Sequence, residues 1–169
     1  MDNSVVIVGS GLAGYAVARE LRKLNTAIPI TLLSADHGGF YSKPMLSNVL
    51  STGKDPASLL NGNAEKMRSQ LKIEILPNHC VTTVNVARNV IQSNGEYVSY
   101  DQLILAIGAD QIRLPMQGDA VGKIYTVNNL DDYQTFYAAL VGKKCVSIIG
   151  AGLIGCEFAN DLAIAGYRV

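Results

Sequence analysis

The sequence predicts an α/β protein in which a glycine-rich turn joins the strand to the helix in each of two β-α units. Three observations favour this fold class. Short β-branched runs alternate with segments of helical periodicity, which is typical of parallel strands covered by helices. Residues 9–14 and 150–155 both have the spacing G-x-G-x-x-G, each between an apolar strand and an apolar helix. A group of short strands with its own hairpin signal lies between these two turns.

The first forty residues are expected to form a β-α-β unit. A continuous β-branched run at 5–8 predicts a strand that is buried on both faces, and residues 30–33 predict a second strand after Pro29. The helix between them is predicted to have its charged residues in solvent. Its expected apolar face consists of Leu12, Ala16, Val17, Leu21 and Leu24, opposite Arg19, Glu20, Arg22 and Lys23.

The middle of the chain predicts a change of architecture. Residues 36–53 are rich in Gly, Ser, Pro and aromatic residues, so we expect a loop with a short helix that faces a ligand. A helix follows at 64–71. Strands are then predicted at 72–76, 81–86, 90–92, 97–99 and 102–106. The Asn94-Gly95 pair indicates a β-hairpin, and therefore an antiparallel insertion.

The last third is expected to begin a second domain. Residues 108–122 are interpreted as a crossing between domains, with boundaries at 1–112 and 113–169. A helix is predicted at 130–140, a strand at 145–149 and a helix at 153–165, with Gly166 just past its C-terminus. Because the final β-α unit has no following strand to cover its apolar helix face, we expect the 169 residues to be a fragment of a longer protein.

Composition excludes several classes of protein. The chain has 14 basic and 14 acidic residues, so no overall charge attracts nucleic acid or an anionic membrane. No apolar run approaches the roughly 20 residues that span a bilayer, and the N-terminus lacks a signal peptide, so a soluble cytoplasmic protein is expected. The three cysteines have no metal-ligand spacing and are predicted to be buried free thiols in a reducing compartment; no metal site is expected.

The glycines of the two turns have a specific physical use. The first allows a tight turn, the second lets the backbone approach a pyrophosphate, and the third lets helix and strand pack closely. Two such turns predict two nucleotides and electron transfer between them. The candidate residues are Gly9, Ser10, Gly11, Leu12, Ala13 and Gly14 in the first turn, and Gly150, Gly152, Leu153, Ile154 and Gly155 in the second.

The ribose-binding position departs from the usual pattern. An acid is expected at the end of the second strand, and Ser34 stands there, followed by Ala35 and Asp36. Ser34 could bond the ribose hydroxyl, or Asp36 could reach back to it; we favour Ser34, with Ala35 beside it.

With these motifs, the sequence resembles the two-dinucleotide flavoprotein reductases, which include glutathione reductase and the ferredoxin reductases. The resemblance implies a Rossmann-like FAD-binding domain with an antiparallel β insertion, followed by the start of a second Rossmann-like NAD(P)-binding domain. The first turn would bind FAD and the second NADH, with NADPH not excluded. It also implies backbone contacts to FAD from Ala106 and Gly108, and to the adenine from Val81; Ile107 stands where the family usually has Thr.

Within that family, residues 41–47 and 150–162 are similar to segments of the rubredoxin reductases. This likeness implies that Lys43 and Pro44 lie near the isoalloxazine, and that Glu157 lies near the flavin and the nicotinamide amide. Lys43 and Glu157 are therefore the catalytic candidates. Simpler roles stay open, since Lys43 could be an exposed loop lysine and Glu157 could stabilise a helix dipole from the first turn.

The disulfide reductases of this family carry a C-x-x-x-x-C pair, and residues 36–53 contain no cysteine. Electrons would therefore leave the flavin directly. The resemblance implies transfer from NAD(P)H through FAD to rubredoxin or a similar one-electron iron protein, in support of alkane hydroxylation. The alternatives are a ferredoxin or flavorubredoxin reductase and a non-catalytic NAD/FAD redox sensor. We expect residues 1–169 alone to be inactive and to bind FAD poorly.

Overall fold

The computed structural model describes residues 3–169, which divide into two compact units. The first unit contains the chain up to Tyr41 together with Leu60–Gly108, and the second contains Ser42–Leu59 and Ala109–Val169. The strands are β1 Val5–Val8, β2 Ile30–Leu33, β3 Phe40–Tyr41, β4 Leu60–Gly62, β5 Glu74–Leu76, β6 Val81–Asn85, β7 Val90–Ser93, β8 Glu96–Ser99 and β9 Gln102–Leu105. The α-helices are α1 Leu12–Leu24, α2 Ala64–Leu71, α3 Leu130–Ala139 and α4 Leu153–Ile164.

A parallel four-stranded sheet organises the first unit, in the order β5-β2-β1-β9. The strands are short, and the central residues Ile7, Leu32 and Ile75 have no exposed surface. This burial explains the continuous apolar runs in the sequence, because both faces of the sheet are covered. The predicted α/β class is confirmed.

The buried face of α1 differs from the predicted one. Tyr15 and Ala18 are fully buried, whereas Leu24 is 84% exposed and Leu12 is 42% exposed. The Tyr15 ring packs edge-on against Phe40, at 5.4 Å between ring centroids. The sequence prediction was wrong at these positions because it weighed apolar periodicity alone, and Tyr15 is held by an aromatic partner outside the helix.

An antiparallel sheet of β6, β7 and β8 is inserted between β5 and β9, as predicted. The hairpin between β7 and β8 turns at Asn94 and Gly95, whose φ values of 51° and 84° are both positive. A two-residue turn of that kind matches the right-handed twist of the strands. The predicted strand bounds differ from the observed ones by one or two residues.

In the second unit, the predicted strand at 145–149 was wrong. Only Cys145 pairs, in an isolated parallel bridge with Arg168. A strand is stabilised by ladders to its neighbours, and the described chain supplies this segment with a single bridge.

The helix α4 ends as predicted, since Gly166 adopts φ 93° and the amides of Gly166 and Tyr167 donate to Ala163 O and Leu162 O.

No helix in residues 3–169 is long and apolar enough to cross a membrane.

Candidate functional site

The first glycine turn connects β1 to α1 and needs each of its glycines for a different reason. Gly9 has φ 113°, a conformation that favours glycine. A Cβ on Gly14 would lie under 3.0 Å from the Gly9 carbonyl oxygen, so this glycine lets helix and strand pack closely. A Cβ on Gly11 would meet nothing within 4 Å, so this glycine keeps open space beside the helix N-terminus.

The second glycine turn, in the other unit, repeats this geometry. Gly150 has φ 114°, and a Cβ on Gly155 would again lie under 3.0 Å from the carbonyl oxygen of the first glycine. Gly152, like Gly11, faces open space. Two segments separated by more than a hundred residues therefore have the same turn, which is the turn that lets a backbone approach a pyrophosphate.

The helices behind these turns begin differently from the other two helices. The N-caps of α2 and α3 are Asn63 and Asn129, whose side chains accept hydrogen bonds from first-turn amides. The N-caps of α1 and α4 are glycines without a side-chain cap, and neither helix has an acidic residue in its first turn. Their first amides are therefore left for an anion, which the helix dipole also favours. The residues present fit a nucleotide phosphate at both turns.

Most of the predicted residues of the first site lie at the carboxyl ends of the parallel strands. Gly9 packs against Ala106, whose amide donates to Val8 O at 2.8 Å. Between β1 and β9 the strand order reverses, because the chain proceeds outward to β5 and then returns to the other side of β1. Ligands of open α/β sheets bind at such a point. The exposed Gly108, with φ 72°, follows β9 at the same edge.

Ser34 ends β2 in a hydrogen-bonded network. It is 2% exposed, its hydroxyl lies 2.6 Å from the Ser10 hydroxyl, and it donates to Asp36 Oδ1 at 2.5 Å. Asp36 Oδ1 also accepts from the Gly38 amide at 2.9 Å. The two candidates for the ribose, Ser34 and Asp36, are thus one connected group, and Ser10 links them to the first glycine turn.

Two further predicted residues border this network. Ala35 is exposed between Ser34 and Asp36. The His79 amide donates to Ser34 O at 2.7 Å, which brings the start of β6 at Val81 to the end of β2. The structure therefore brings Val81 to the same edge of the sheet as the first glycine turn.

The second unit holds Lys43 and Pro44 at the start of the 3₁₀ helix Lys43–Asn48. Lys43 is exposed, and its Nζ donates to Asn128 Oδ1 at 2.7 Å. Asn128 is itself fixed, because its side-chain amide donates to Ala109 O and its backbone amide donates to Asp132 Oδ2. Lys43 is therefore an exposed positive charge whose side-chain orientation is fixed by a hydrogen bond.

Glu157 lies on α4 in this same unit. It is the fifth residue of the helix, so the placement in the first turn was wrong, and the dipole of the helix N-terminus falls off before this position. Its Oε2 accepts from the hydroxyl of Ser47 at 2.7 Å, and Ser47 is 4% exposed. Neither Ser47 nor Asp161 was predicted from the sequence; Asp161 lies one turn after Glu157 and is 1% exposed.

Burial shifts two tyrosine pKa values. Burial raises the pKa of Tyr15 to about 12, the nearby Asp36 charge adds to this shift, and Arg19 opposes it. The Tyr15 hydroxyl donates to Gly38 O, next to the Asp36 network. In the second unit, burial raises the pKa of Tyr133, and the charge of Asp161 acts in the same direction.

The three cysteines are exposed rather than buried. Cys80, Cys145 and Cys156 are free, as predicted, but all three are exposed, so the prediction of burial was wrong. Among residues 3–169, no group of three or more His, Cys, Asp or Glu side chains could hold a metal ion.

The comparisons with known proteins agree with this architecture. The family described as pyridine nucleotide-disulphide oxidoreductase matches residues 3–169. A rubredoxin-NAD(+) reductase of Alcanivorax borkumensis is 45% identical over 98% of this chain and 43% of its own length. A nitric oxide reductase FlRd-NAD(+) reductase of Vibrio vulnificus is 35% identical over the whole chain and 44% of its own length. The covalent putidaredoxin reductase–putidaredoxin complex matches with a TM-score of 0.85 at 30% identity, over 98% of this chain and 41% of that one.

The chain belongs to the pyridine nucleotide-disulphide oxidoreductase family, whose members are oxidoreductases that use FAD and NAD(P)H. Its sequence is similar to the rubredoxin-NAD(+) reductases over nearly all of its residues. It spans less than half the length of these relatives.

Proposed function

We propose that this chain contributes to an FAD-dependent reductase that passes electrons from NAD(P)H to rubredoxin or a similar one-electron iron protein. The observation that carries the proposal is the matched geometry of the two glycine turns, at 9–14 and 150–155, with an uncapped helix behind each. The turn at 9–14 binds FAD and the turn at 150–155 binds NAD(P)H. When bound, FAD supplies the chemistry that converts a two-electron hydride donor into a source of single electrons.

In the first unit, the first glycine turn and the free amides of α1 hold the FAD pyrophosphate. The Ser10–Ser34–Asp36 network holds the ribose hydroxyls, with Ser34 as the predicted contact and Asp36 as its acceptor. The backbone at Ala106 and Gly108 and the backbone at Val81 complete this site, as the likeness to the family implies.

In the second unit, residues 150–155 hold the pyrophosphate of NAD(P)H. Lys43 supplies a positive charge to the flavin, and its hydrogen bond to Asn128 keeps that charge oriented. Glu157 lies near the flavin and the nicotinamide amide, oriented by Ser47. The roles of Lys43 and Glu157 are proposed from the likeness to rubredoxin reductases, and the location of both residues in one compact unit supports these roles.

Two observations support the proposed partner. Similar proteins are rubredoxin-NAD(+) and flavorubredoxin-type reductases, and residues 36–53 have no cysteine pair to relay electrons as thiols. Rubredoxin is therefore the first candidate acceptor and a flavorubredoxin the second. Alkane hydroxylation as the final use of the electrons stays a prediction. The free cysteines are consistent with the reducing compartment that we propose, the cytoplasm.

Anaerobic stopped-flow spectroscopy tests the proposal on protein expressed from its complete reading frame. The purified protein should show a flavin spectrum, lose it on mixing with NADH or NADPH, and recover it on a second mixing with oxidised rubredoxin. Ferredoxin in place of rubredoxin is the matched control for the acceptor. A protein that binds FAD but is not reduced by either nucleotide would favour the non-catalytic redox sensor, and a protein that binds no FAD would overturn the proposal.

A further inference from the structure

Asp161 is a buried carboxylate that the proposed chemistry does not use. It lies on α4, is 1% exposed, and belongs to none of the ion pairs found among residues 3–169. Burying a charge is unfavourable unless hydrogen bonds compensate for it. The position of this carboxylate therefore needs an explanation in its local contacts.

Within residues 3–169, the hydrogen bonds to its carboxylate come from one short segment. The backbone amides of Leu50 and Ser51 donate to the two oxygens of Asp161, at 3.0 Å and 2.8 Å. These amides begin the 3₁₀ helix Leu50–Thr52, whose N-cap has no side-chain hydrogen bond. Asp161 thus caps this helix from another part of the chain, more than a hundred residues away.

A second contact runs parallel to the first. Glu157 and Asp161 are four residues apart on α4, so they lie on the same face of the helix. Their partners, Ser47 and the Leu50–Ser51 amides, are three to four residues apart on the facing segment. The two carboxylates therefore fix the register of segment 42–59 on α4, because a shift by one position would break both contacts.

We propose that Asp161 is a positioning residue that anchors segment 42–59 to α4, so that Lys43 on the segment and Glu157 on the helix keep one fixed relation. This inference rests on the proposed roles of Lys43 and Glu157. Asp161 acts through the Leu50 and Ser51 amides, which hold the segment against α4. Substitution of Asp161 leaves the side chains of Lys43 and Glu157 present but no longer fixes their relative position. Small displacements of catalytic groups slow a reaction.

Amide hydrogen exchange tests the anchor without any cofactor. In Asp161→Ala, the amides of Leu50 and Ser51 should exchange about tenfold faster or more than in the parent protein, because their acceptor is gone. Asp161→Asn, which keeps one carbonyl oxygen, should give an intermediate value. Asn160→Ala is the matched control, since Asn160 is the exposed neighbour on α4, and it should leave both amides unchanged.

A kinetic measurement on the FAD-loaded protein tests the consequence. Asp161→Asn and Ser47→Ala should each lower the limiting rate of flavin reduction by about tenfold, with the KM for NADH unchanged, and the double variant should be no slower than the slower single one. If both Asp161 variants fail to fold, Ser47→Ala still tests whether the contact of segment 42–59 with α4 positions Glu157, because it leaves the buried Asp161 carboxylate intact.

Unchanged amide exchange in Asp161→Ala would overturn the anchor itself. Faster exchange with an unchanged limiting rate in Asp161→Asn and Ser47→Ala would overturn its positioning role. A parent protein that NADH does not reduce would instead refute the proposed function, and the exchange result would still stand on its own.

Discussion

Alanine substitutions at Gly11 and Gly14 separate the two uses of glycine in the first turn. A Cβ at position 14 would lie under 3.0 Å from the Gly9 carbonyl oxygen, a contact with rigid backbone that only a shift of helix or strand can relieve. A Cβ at position 11 meets nothing within 4 Å, and its φ of −71° and ψ of −173° are allowed for alanine. Gly14→Ala therefore disturbs packing, whereas Gly11→Ala fills only the space where a ligand would lie.

The expected magnitudes differ accordingly. Gly14→Ala should lower the free energy of unfolding by about 1–3 kcal/mol, the usual cost of overpacking a tight site. Gly11→Ala should lower it by less than about 1 kcal/mol, because position 11 is the exposed N-cap of α1, where glycine is preferred over alanine. The affinity of Gly11→Ala for FAD should nevertheless fall by about tenfold or more, equivalent to about 1.4 kcal/mol, because the methyl group obstructs the approach of the pyrophosphate.

Two assays measure these quantities independently. Urea denaturation of the FAD-free protein gives the free energy of unfolding, and quenching of flavin fluorescence on titration gives the affinity for FAD. If Gly11→Ala were destabilised as much as Gly14→Ala, the space beside Gly11 would be needed for packing. If Gly11→Ala bound FAD as tightly as the parent protein, the first turn would not be the pyrophosphate site.

Three further predictions concern single side chains. Lys43→Met should slow flavin reduction by about tenfold to a hundredfold, because it removes the oriented cation, whereas Lys54→Met, an exposed lysine of the same segment, should not; equal rates would refute the role. Ser34→Ala and Asp36→Asn should each weaken FAD binding by about fivefold in titrations. Because the two residues form one network, the double variant should bind FAD as tightly as the weaker-binding single variant; additive losses of affinity would contradict this. The folded state raises the pKa of Tyr15 from 10.0 to about 12, so it binds the proton more tightly than the unfolded state does. Stability should therefore fall as the pH rises from about 10 to about 12, and Tyr15→Phe should flatten part of this fall in denaturation measured across that range.

The parts of the fold that depend on neighbouring residues were predictable from the sequence. Each glycine turn is determined by six consecutive residues and their flanks, so the pattern at 9–14 and the pattern at 150–155 give matching φ values at Gly9 and Gly150. The hairpin at Asn94 and Gly95 is equally local, because both residues tolerate positive φ. These features need no information about the rest of the chain.

Features that depend on distant partners were predicted less well. The apolar run at 145–149 has strand composition, but pairing requires a neighbouring strand, and only Cys145 has a bridge. The burial of Tyr15 depends on Phe40 and on the Gly38 carbonyl, which lie outside the periodicity of α1. In both cases the missing information was the identity of the partner, which composition does not contain.

The contacts of Glu157 and Asp161 had a signal in the sequence that pattern reasoning can use. Two acids four residues apart repel each other on a helix by about 0.2–0.5 kcal/mol, and here they lie in a mostly apolar helix without a basic residue. A mostly apolar helix is expected to be buried, and a buried carboxylate needs hydrogen bonds, so the sequence could have predicted that donors face this side of α4. It could not have predicted which ones, because the Ser47 hydroxyl is 110 residues from Glu157 along the chain. Segment 42–59 lies in sequence within the predicted first domain and in space within the second unit, so only the folded chain places Lys43 in the same unit as Glu157.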